Sequence, residues 1–488
     1  MLIRDLMQTT GVRFGTSGAR GLAADMSVAV CYAYTAAFLQ VTGRKEGGEV
    51  ALGMDLRPSS PQIAAACAAA VRDAGLEAIF CGILPTPALA YFARRRGIPA
   101  IMVTGSHIPF DRNGIKFYRP EGEITKADEV GIGNADVPVP EWAARTDSLV
   151  PEMLPQPSTD AARCYIRRYL DFFPAGVLSG MRLGFYEHSS VARDLLREIL
   201  QGLGASVISL GRTEHFVPID TEAVSDDDMR RAHAWAEEFR FDAILSTDGD
   251  ADRPLLGDEH GDWLRGDIVG ILCARYLGAK AVATPVSSNT ALERCQWFDH
   301  VARTRIGSPY VIAAMERFAA AGVAEIAGFE ANGGFLLGSR VESKGRVLDA
   351  LPTRDAVLPI LALLALARTQ KVPVSRLPVG LPHRYTASER LQDVTPDRSR
   401  ALLVRLAESG TALADFFAPL GLQAEAMDFT DGLRVTLGTG EIAHLRASGN
   451  APELRCYAEA DTQKRAVELV GAVLQKVGHL METADANP

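Results

Sequence analysis

The sequence lacks three features that would each indicate a particular class of protein. Its seven cysteines are scattered and odd in number and contain no CxxC pair, which excludes a disulfide framework and a zinc site of that spacing. The longest apolar run, residues 357–367, has about 11 residues, whereas a membrane-spanning helix needs about 20. Basic residues are not in excess, since 51 Lys and Arg stand against 60 Asp and Glu. We therefore expect neither nucleic acid nor membrane as a partner.

Other absences concern targeting and nucleotides. The first 14 residues, MLIRDLMQTTGVRF, have no continuous apolar core followed by a small-residue cleavage site, so no secretory signal is expected. The cysteines lie mostly in apolar runs, which is typical of reduced core thiols and predicts a cytoplasmic protein. The chain contains neither a P-loop lysine motif nor a strand-linked GxGxxG, so nucleotide binding is not indicated.

What is present is an ordinary globular composition, 47% apolar and 23% charged, over 488 residues. Strand-like and helix-like runs alternate three times, which predicts mostly parallel sheets covered on both faces. The predicted strands span residues 49–54, 76–81, 98–103, 182–186, 205–210, 241–245, 280–284, 300–304 and 323–327. The predicted helices between them span residues 61–73, 87–96, 192–203, 226–239, 267–277, 289–297 and 309–321.

Proline- and glycine-rich linkers separate these units from one another and from a last segment of different texture. The predicted domains are residues 1–153, 154–262, 263–375 and 376–488. In each of the first three, an apolar strand runs into a polar loop: TGSH, DGDADR and GFEANGG, respectively. Because ligands gather at the carboxyl ends of strands in open α/β sheets, we expect these loops to meet at one cleft.

The TGSH loop carries a candidate nucleophile. Ser106 ends the buried strand, His107 follows it, and Lys116 lies ten residues on, an arrangement that could support covalent catalysis. A Ser-His pair alone is more often a plain turn. Near the N-terminus, FGTSGARG has backbone amides free to face an anion and a fixed charge on Arg20, although a surface turn is the simpler interpretation.

The DGDADR loop carries a candidate metal site. Asp248, Asp250 and Asp252 alternate along a turn, and carboxylates this close repel unless a cation neutralises them. A solvated acidic loop is the alternative. With Glu259 the aspartates match an EF-hand spacing, but Arg253 stands where that loop needs glycine, so we reject a calcium loop. Arg253 indicates instead a metal shared with an anion.

Such a metal could coordinate a phosphate on Ser106, with Lys116 or His107 handling the proton of an attacking hydroxyl. Two further loops fit a sugar phosphate. Glu330 and Asn332 in GFEANGG can bind polyol hydroxyls, and RASGNAPELR suits a phosphate dianion. A glycine turn is the alternative for both loops. The phosphate donors in the second loop are Arg446, Ser448, Gly449, Asn450 and Arg455.

Taken together, these motifs resemble those of the α-D-phosphohexomutases, the group of phosphomannomutases, phosphoglucomutases and phosphoglucosamine mutases. FGTSGARG, TGSHIPFDRNGIKF, DGDADR and RASGNAPELR occur in the family's order across nearly the whole chain, with GFEANGGF as a weaker match. The resemblance implies three similar α/β domains with mixed, mostly parallel sheets, followed by a C-terminal α+β domain, around a central cleft.

The resemblance also implies roles for individual residues. Ser106 would be a phosphoserine, and its phosphate would hold Mg²⁺ together with Asp248, Asp250 and Asp252. Lys116, His107 and Arg20 would surround the transferring group, with Arg253 supporting them.

Sugar recognition would fall to Glu330 and to Thr304 and Gly307 in TRIGSPYV. The phosphate that does not react would be gripped by Arg446, Ser448, Asn450 and Arg455.

The implied activity is that of an isomerase that interconverts hexose 6-phosphate and hexose 1-phosphate through a hexose 1,6-bisphosphate, most like a phosphomannomutase acting as a monomer or homodimer. Glucose or glucosamine phosphates are the alternative substrates. A metal-dependent phosphatase and a sugar-phosphate binder without activity are more distant alternatives. The chain departs from the family's usual loops at Phe329, Asn332, Asn450 and Ala451, which places the sugar in question.

Overall fold

Four large β-sheets follow one another in the computed structural model, which describes residues 1–15, 18–43, 47–145, 154–408, 410–448 and 452–486. The first sheet has seven strands, and six of them lie in the order β1-β2-β6-β5-β3-β4 while β7 pairs with β6. These strands are β1 (Arg13–Phe14), β2 (Ala19–Leu22), β3 (Glu49–Met54), β4 (Glu77–Ile83), β5 (Ala100–Val103), β6 (Arg112–Arg119) and β7 (Gly122–Glu123). The helices of this part are α1 (Ile3–Thr10), α2 (Val28–Thr42), α3 (Ser60–Asp73), α4 (Thr86–Arg96), α5 (Lys126–Asn134) and α6 (Glu141–Arg145).

The second sheet has the order β11-β10-β8-β9, and helix α7 (Asp160–Phe172) precedes it. Its elements are β8 (Arg182–Tyr186), α8 (Arg193–Gly202), β9 (Ser206–Leu210), α9 (Asp226–Phe239), β10 (Ala243–Thr247) and β11 (Pro254–Gly257).

The third sheet has the order β13-β12-β14-β15-β18, beside a separate two-stranded ribbon of β16 and β17. Its strands are β12 (Ala281–Pro285), β13 (His300–Thr304), β14 (Ile326–Phe329), β15 (Phe335–Leu337), β16 (Val341–Ser343), β17 (Arg346–Leu348) and β18 (Leu351–Asp355). Its helices are α10 (Gly266–Tyr276), α11 (Ala291–Arg294), α12 (Ser308–Ala320) and α13 (Val357–Gln370).

The fourth sheet is antiparallel throughout, in the order β19-β23-β22-β21-β20. Its elements are β19 (Tyr385–Gln392), α14 (Pro396–Ala407), α15 (Gly410–Phe417), β20 (Ala424–Asp428), β21 (Leu433–Leu437), β22 (Ile442–Ala447), β23 (Glu453–Ala460) and α16 (Gln463–Ala486). Short 3₁₀ turns lie at Ala23–Asp25, Val374–Gly380 and Ala418–Leu420.

The first three sheets share one four-stranded arrangement: β4-β3-β5-β6, β9-β8-β10-β11 and β13-β12-β14-β15. In each, three parallel strands are followed by an antiparallel return strand. The predicted repeat of architecture is confirmed, and so is the position of the TGSH, DGDADR and GFEANGG loops. Each loop connects the third parallel strand to the return strand, so all three occupy equivalent places.

Packing joins the first three sheets, because one apolar cluster includes side chains from α4, α7, α10 and α13. Helix α13 is buried along almost its whole length. Within the described ranges, no single helix is long and apolar enough to cross a membrane, and α13 with the following 3₁₀ turn meets the length criterion only as a pair bent by 86°. The fourth sheet has its own core, formed with α14, α15 and α16.

One predicted helix is shorter in the structure, and several helices, such as α2 and α7, were not predicted. The run 289–297 is helical only over α11, because Gln296 adopts a left-handed φ of 56° that ends the helix. Helix α2 was not predicted, since it is apolar on nearly every side and shows no periodic polar face.

Candidate active site

Ser106 lies in the loop between β5 and β6, where its side chain is fully buried. Its backbone is left-handed, with φ of 55°, an uncommon conformation for a residue with a side chain. The Ser106 amide donates a hydrogen bond to Thr104 Oγ1 at 2.8 Å, and the Ser106 hydroxyl donates to Asp248 Oδ2 at 2.6 Å. The nucleophile predicted in one sheet therefore contacts the acidic loop of the next.

The acidic triplet occupies the loop from β10 to β11, and Asp248, Asp250 and Asp252 are all buried. Their nearest carboxylate oxygens lie within 4.8 Å of one another. Within the described part of the chain, one oxygen of Asp250 and one of Asp252 have no hydrogen-bond partner. Buried carboxylate oxygens without partners are costly, and hard oxygen ligands at this spacing fit a divalent cation. The predicted metal ligands are thus brought together.

Burial, followed by the charges of Asp250 and Asp252, holds the pKa of Asp248 well above its usual range. Burial acts in the same direction on Asp252, but Arg354, Lys116 and Arg253 outweigh it and lower the pKa of that carboxyl. Within the triplet, Asp248 is therefore repelled by the other two carboxylates, whereas the charge of Asp252 is balanced by neighbouring cations. A bound cation would relieve the repulsion at Asp248.

Lys116 projects from β6 into the triplet and is almost wholly buried. Its Nζ lies 2.6 Å from Asp250 Oδ2 and 2.7 Å from Asp252 Oδ2. Thr86, the first residue of α4, donates from Oγ1 to the same oxygen of Asp250 at 2.5 Å. The predicted amine is therefore at the acidic loop, bonded to two of its carboxylates.

Three further basic side chains face this centre. Arg253 Nη1 lies 3.5 Å from His107 Nε2, and His107 Nδ1 lies 3.4 Å from Ser106 Oγ. Burial, and then the charges of Arg253 and Arg20, hold the pKa of His107 well below its usual range. Burial, and then Arg253 and Arg354, lower the pKa of Arg20 to about 10, and Arg20 Nε has no partner among the described residues. Positive charge crowded in this way favours an anion beside the triplet.

The GFEANGG loop lies between β14 and β15 and is reached from the triplet through Arg354. Arg354 Nη2 donates to Asp252 Oδ2 at 2.8 Å, and Arg354 Nη1 donates to Glu330 Oε2 at 2.8 Å. Asn332, by contrast, uses its Oδ1 to accept from the Gly334 amide at 3.0 Å, which shapes the turn. Both predicted residues are buried in the loop, but the Asn332 oxygen already has a partner.

The departures from the family's loop at these positions have a structural explanation. Phe329 is fully buried and packs against α10, where a side-chain carbon at Gly270 would lie 2.4 Å from its ring. The aromatic ring therefore fills the core rather than the cleft. Asn332 supplies a turn, as described above.

Thr304 and Gly307 lie at the junction of β13 and α12. Thr304 Oγ1 donates to the Arg305 carbonyl at 2.7 Å, and Gly307 has a φ of 130°, a conformation that favours glycine. Between them, the Ile306 amide donates to Asp431 Oδ2 at 2.9 Å. Arg305 Nε also donates to the Thr430 carbonyl at 3.1 Å, so this loop is tied to the turn before β21 of the fourth sheet by two hydrogen bonds.

The phosphate-loop candidates flank the connection from β22 to β23. Arg446 Nε donates to Asp431 Oδ2 at 2.9 Å, so the same carboxylate holds both loops. The buried Ser448 donates its amide to the Glu453 carbonyl at 2.9 Å, and Arg455 Nη2 lies 3.3 Å from Glu453 Oε2. The remaining predicted residues, Gly449 and Asn450, and the neighbouring Ala451 lie outside the described residues.

Comparison with known proteins shows which family the chain belongs to. The sequence profile of phosphoglucomutase/phosphomannomutase α/β/α domain I matches residues 11–135, that of domain III residues 265–385, and that of the C-terminal domain residues 387–476. A phosphomannomutase of Salmonella muenchen is 50% identical over 480 residues, covering 97% of each chain. The chain belongs to the phosphoglucomutase/phosphomannomutase family.

Other phosphoglucomutase/phosphomannomutase relatives agree. A phosphomannomutase of Sinorhizobium fredii is 48% identical over 478 residues, covering 94% of this chain and 97% of its own. The crystal structure of a phosphoglucomutase/phosphomannomutase family protein from Burkholderia thailandensis has a TM-score of 0.73 over 98% of each chain; at 19% identity this likeness concerns the fold. The resemblance and the fold class inferred from the motifs are confirmed, and family membership makes the chain an enzyme, an isomerase that transfers a phosphoryl group on a hexose phosphate.

Sequence reasoning missed two residues that hold this phosphohexomutase site together. Arg354 lies on β18, a strand that was not predicted because its sequence LPTRD shows no apolar alternation. Asp431 lies in a turn before β21, with no glycine-rich motif to mark it. Both act between loops that are distant in sequence, and so only the folded chain reveals their partners.

One buried histidine behind the acidic loop predicts a pH effect on stability. His188 follows β8, and its Nε2 donates to the Thr247 carbonyl at 2.9 Å. Burial, and more weakly Arg193, lowers the pKa of His188 to about 4. Below pH 6.5, His188 is protonated in the unfolded chain but stays neutral in the folded chain until the pH approaches 4. The free energy of unfolding should therefore fall by roughly 1.4 kcal/mol per pH unit from this residue as pH decreases from about 6.5 towards 4.

Chemical denaturation of wild type and His188→Gln at several pH values checks this. Gln keeps a donor for the Thr247 carbonyl but does not titrate, so its stability should depend less steeply on pH. His215→Gln, at an exposed position in the same unit, is the matched control and should follow the wild type. Parallel slopes for wild type and His188→Gln would show that the buried imidazole does not cause the effect.

Proposed function

We propose that the chain is a Mg²⁺-dependent phosphomannomutase that interconverts mannose 6-phosphate and mannose 1-phosphate through phosphorylated Ser106 and a hexose 1,6-bisphosphate. The observation that carries the proposal is the 2.6 Å contact between Ser106 Oγ and Asp248 within the buried triplet. Two relatives at about half identity over nearly their whole length, both phosphomannomutases, support the choice of sugar.

The partnerless oxygens of Asp250 and Asp252 support the metal assignment, so Asp248, Asp250, Asp252 and a phosphate on Ser106 would hold the ion. When bound, Mg²⁺ supplies positive charge to the phosphoryl oxygens. Arg20 and Arg253 add fixed positive charge around the same phosphoryl group.

In the first half-reaction, a hydroxyl oxygen of the hexose phosphate attacks the phosphorus on Ser106. The new P–O bond to the sugar forms while the P–Oγ bond breaks. The hydroxyl proton passes to His107, whose Nδ1 lies 3.4 Å from Ser106 Oγ, or to Lys116 at the acidic triplet, and from there to the departing Oγ. The bisphosphate then turns over within the cleft, and Ser106 Oγ takes the other phosphoryl group, which regenerates phosphoserine and releases the isomer.

The remaining loops hold the sugar in either orientation. We assign its hydroxyls to Glu330, with Thr304, Gly307 and Asn332 shaping the surrounding loops. We assign the phosphate that does not react to Arg446, Ser448, Gly449, Asn450 and Arg455.

We also propose that the chain has four domains with the predicted boundaries. Each domain contains one large sheet. The proposal places the enzyme in the cytoplasm as a monomer or homodimer that binds neither nucleic acid nor membrane. All seven cysteines are free thiols, which suits a reducing compartment.

Substrate preference gives the direct test. With hexose 1,6-bisphosphate present, kcat/KM for mannose 1-phosphate should exceed that for glucose and glucosamine 1-phosphates by at least about tenfold, since the site discriminates by contacts to sugar hydroxyls. A coupled assay for each 6-phosphate product measures this. A higher value for another sugar would make the enzyme a phosphoglucomutase or phosphoglucosamine mutase. Stoichiometric release of free phosphate would make it a phosphatase.

A further inference from the structure

A buried arginine outside the motifs above donates hydrogen bonds to the backbone of the Ser106 loop. Arg57 follows β3, the strand beside β5, and is 1% exposed. Its Nη2 donates to the Ser106 carbonyl at 2.9 Å and to the Ile108 carbonyl, and its Nη1 donates to the carbonyls of Pro109 and of Arg112, the latter at 2.9 Å. One guanidinium thus binds four carbonyls along seven residues of a single loop.

Asp55 fixes both the arginine and the loop. Its Oδ2 lies 3.3 Å from Arg57 Nε and accepts from the Gly105 amide at 3.2 Å, while Oδ1 accepts from Ser60 and from the Arg57 amide. A methyl group at Gly105 would lie 2.5 Å from Arg57 Cζ, so the guanidinium packs directly on the backbone. The contact depends on the missing side chain at Gly105.

The opposite face of the guanidinium touches the unit that carries the acidic triplet. Arg57 Cζ lies 4.1 Å from the centroid of the Phe216 ring, in the connection from β9 to α9. A side-chain carbon at Gly249, within the triplet loop, would lie 3.0 Å from the Ser106 carbonyl oxygen and 3.2 Å from that ring. Arg57 is therefore clamped between the serine loop and the unit that supplies Asp248.

This geometry requires the planar fork of arginine. Lysine offers a single charged point and cannot reach carbonyls on both edges of the loop at once. The Ser106 carbonyl is one of the groups held, and Ser106 is the residue in the left-handed conformation. Strained backbone of this kind persists only where its surroundings determine it.

We infer that Arg57, with Asp55 and Phe216, is a positioning residue that holds Ser106 where its Oγ meets Asp248. The inference rests on the proposed phosphoserine mechanism. The contacts of Arg57 with the loop are to its backbone, namely the four carbonyls and the packing against Gly105. Loss of Arg57 should therefore slow phosphoryl transfer to and from Ser106 while leaving the capture of the sugar phosphate nearly unchanged.

The test compares Arg57→Ala, Arg57→Lys and wild type, with Arg112→Ala as the control, since that side chain is exposed on the same loop. Ser106 phosphorylation is followed by intact mass after addition of hexose 1,6-bisphosphate, and kcat and KM are measured separately. For Arg57→Ala we expect kcat to fall about 100-fold or more with KM within about threefold of wild type, because misplacing a reacting group by about 1 Å costs this much. Arg57→Lys should show a similar loss, and Arg112→Ala should match wild type.

Methylguanidinium provides the readout that a purely structural role would not move. Methylguanidinium can occupy the space left by the side chain in Arg57→Ala and should raise the kcat of that variant at least about tenfold. It should not raise the kcat of Arg57→Lys. Wild-type kcat in either Arg57 variant would overturn the inference, as would a folded Arg57→Ala that methylguanidinium does not restore. If Arg57→Ala does not fold, wild-type kcat in Phe216→Ala and Arg57→Lys overturns it. Wild-type protein that takes no phosphate on Ser106 would instead overturn the proposed function.

Discussion

Ser106→Ala should abolish isomerisation, with kcat/KM falling by at least about 10⁴-fold even when hexose 1,6-bisphosphate is supplied. The Ser106 hydroxyl oxygen is the atom that carries the phosphoryl group between substrates, and this hydroxyl donates to the Asp248 carboxylate. Its methyl replacement cannot form the intermediate. A coupled assay for the product sugar phosphate, with intact mass to detect phosphate on the protein, measures both consequences.

The control for this variant is Ser206→Ala, an exposed serine on β9 far along the chain from the active-site loops. It should keep full activity and its phosphorylated state. Turnover of Ser106→Ala within tenfold of wild type would mean that the phosphoryl group travels by another route, such as direct transfer to water or between two sugars.

Removal of divalent cations should lower turnover at least about 100-fold, and Mg²⁺ should restore it, because the metal neutralises charge on the transferring group. Binding should also be visible without catalysis. At 100 times its Kd, Mg²⁺ should stabilise the folded protein by about 2.7 kcal/mol, which thermal denaturation can detect.

Asp248→Asn is the informative variant for the metal. It removes one of the mutually repelling buried charges and keeps an oxygen that can accept from Ser106. We expect the variant to gain no stability from Mg²⁺, whereas wild type does. The control is Asp227→Asn, at an exposed position in the first turn of α9, and Mg²⁺ should stabilise this variant as much as wild type. An undiminished Mg²⁺ response in Asp248→Asn would place the ion elsewhere.

How far the sequence determines this site can be seen at particular residues. Ser106 and Asp248 each follow an apolar strand, and because ligands gather at the carboxyl ends of strands in open α/β sheets, both loops were expected to face one ligand although their strands belong to different sheets. The role of Arg354 was not predictable, because it depends on the pairing of β18 with β15. That pairing brings the Arg354 side chain between the loops that carry Asp252 and Glu330. Arg57 lies in an unremarkable DLRPSS turn, and its four carbonyl acceptors exist only in the folded loop.

Two residues of the sugar loop have structural contacts that their residue type did not predict. Asn332 is polar and lies in a glycine-rich loop, as a sugar ligand would, yet its side-chain oxygen closes a turn on Gly334. Phe329 looks like an intrusion into the sugar loop but faces the core against α10. Orientation along a strand or turn decides such cases, and residue type alone does not.

The carboxylate of Asp431 joins the Ile306 amide to Arg446 and so couples two loops that would touch opposite parts of a ligand. Under the proposed mechanism the intermediate must fit twice, once in each direction. A fixed spacing between those loops sets the distance from the sugar to the phosphate that does not react, and this distance is the same whichever phosphate of the bisphosphate points to Ser106. Indifference to direction, which a reversible isomerase requires, would then come from a fixed distance rather than from two separate binding modes.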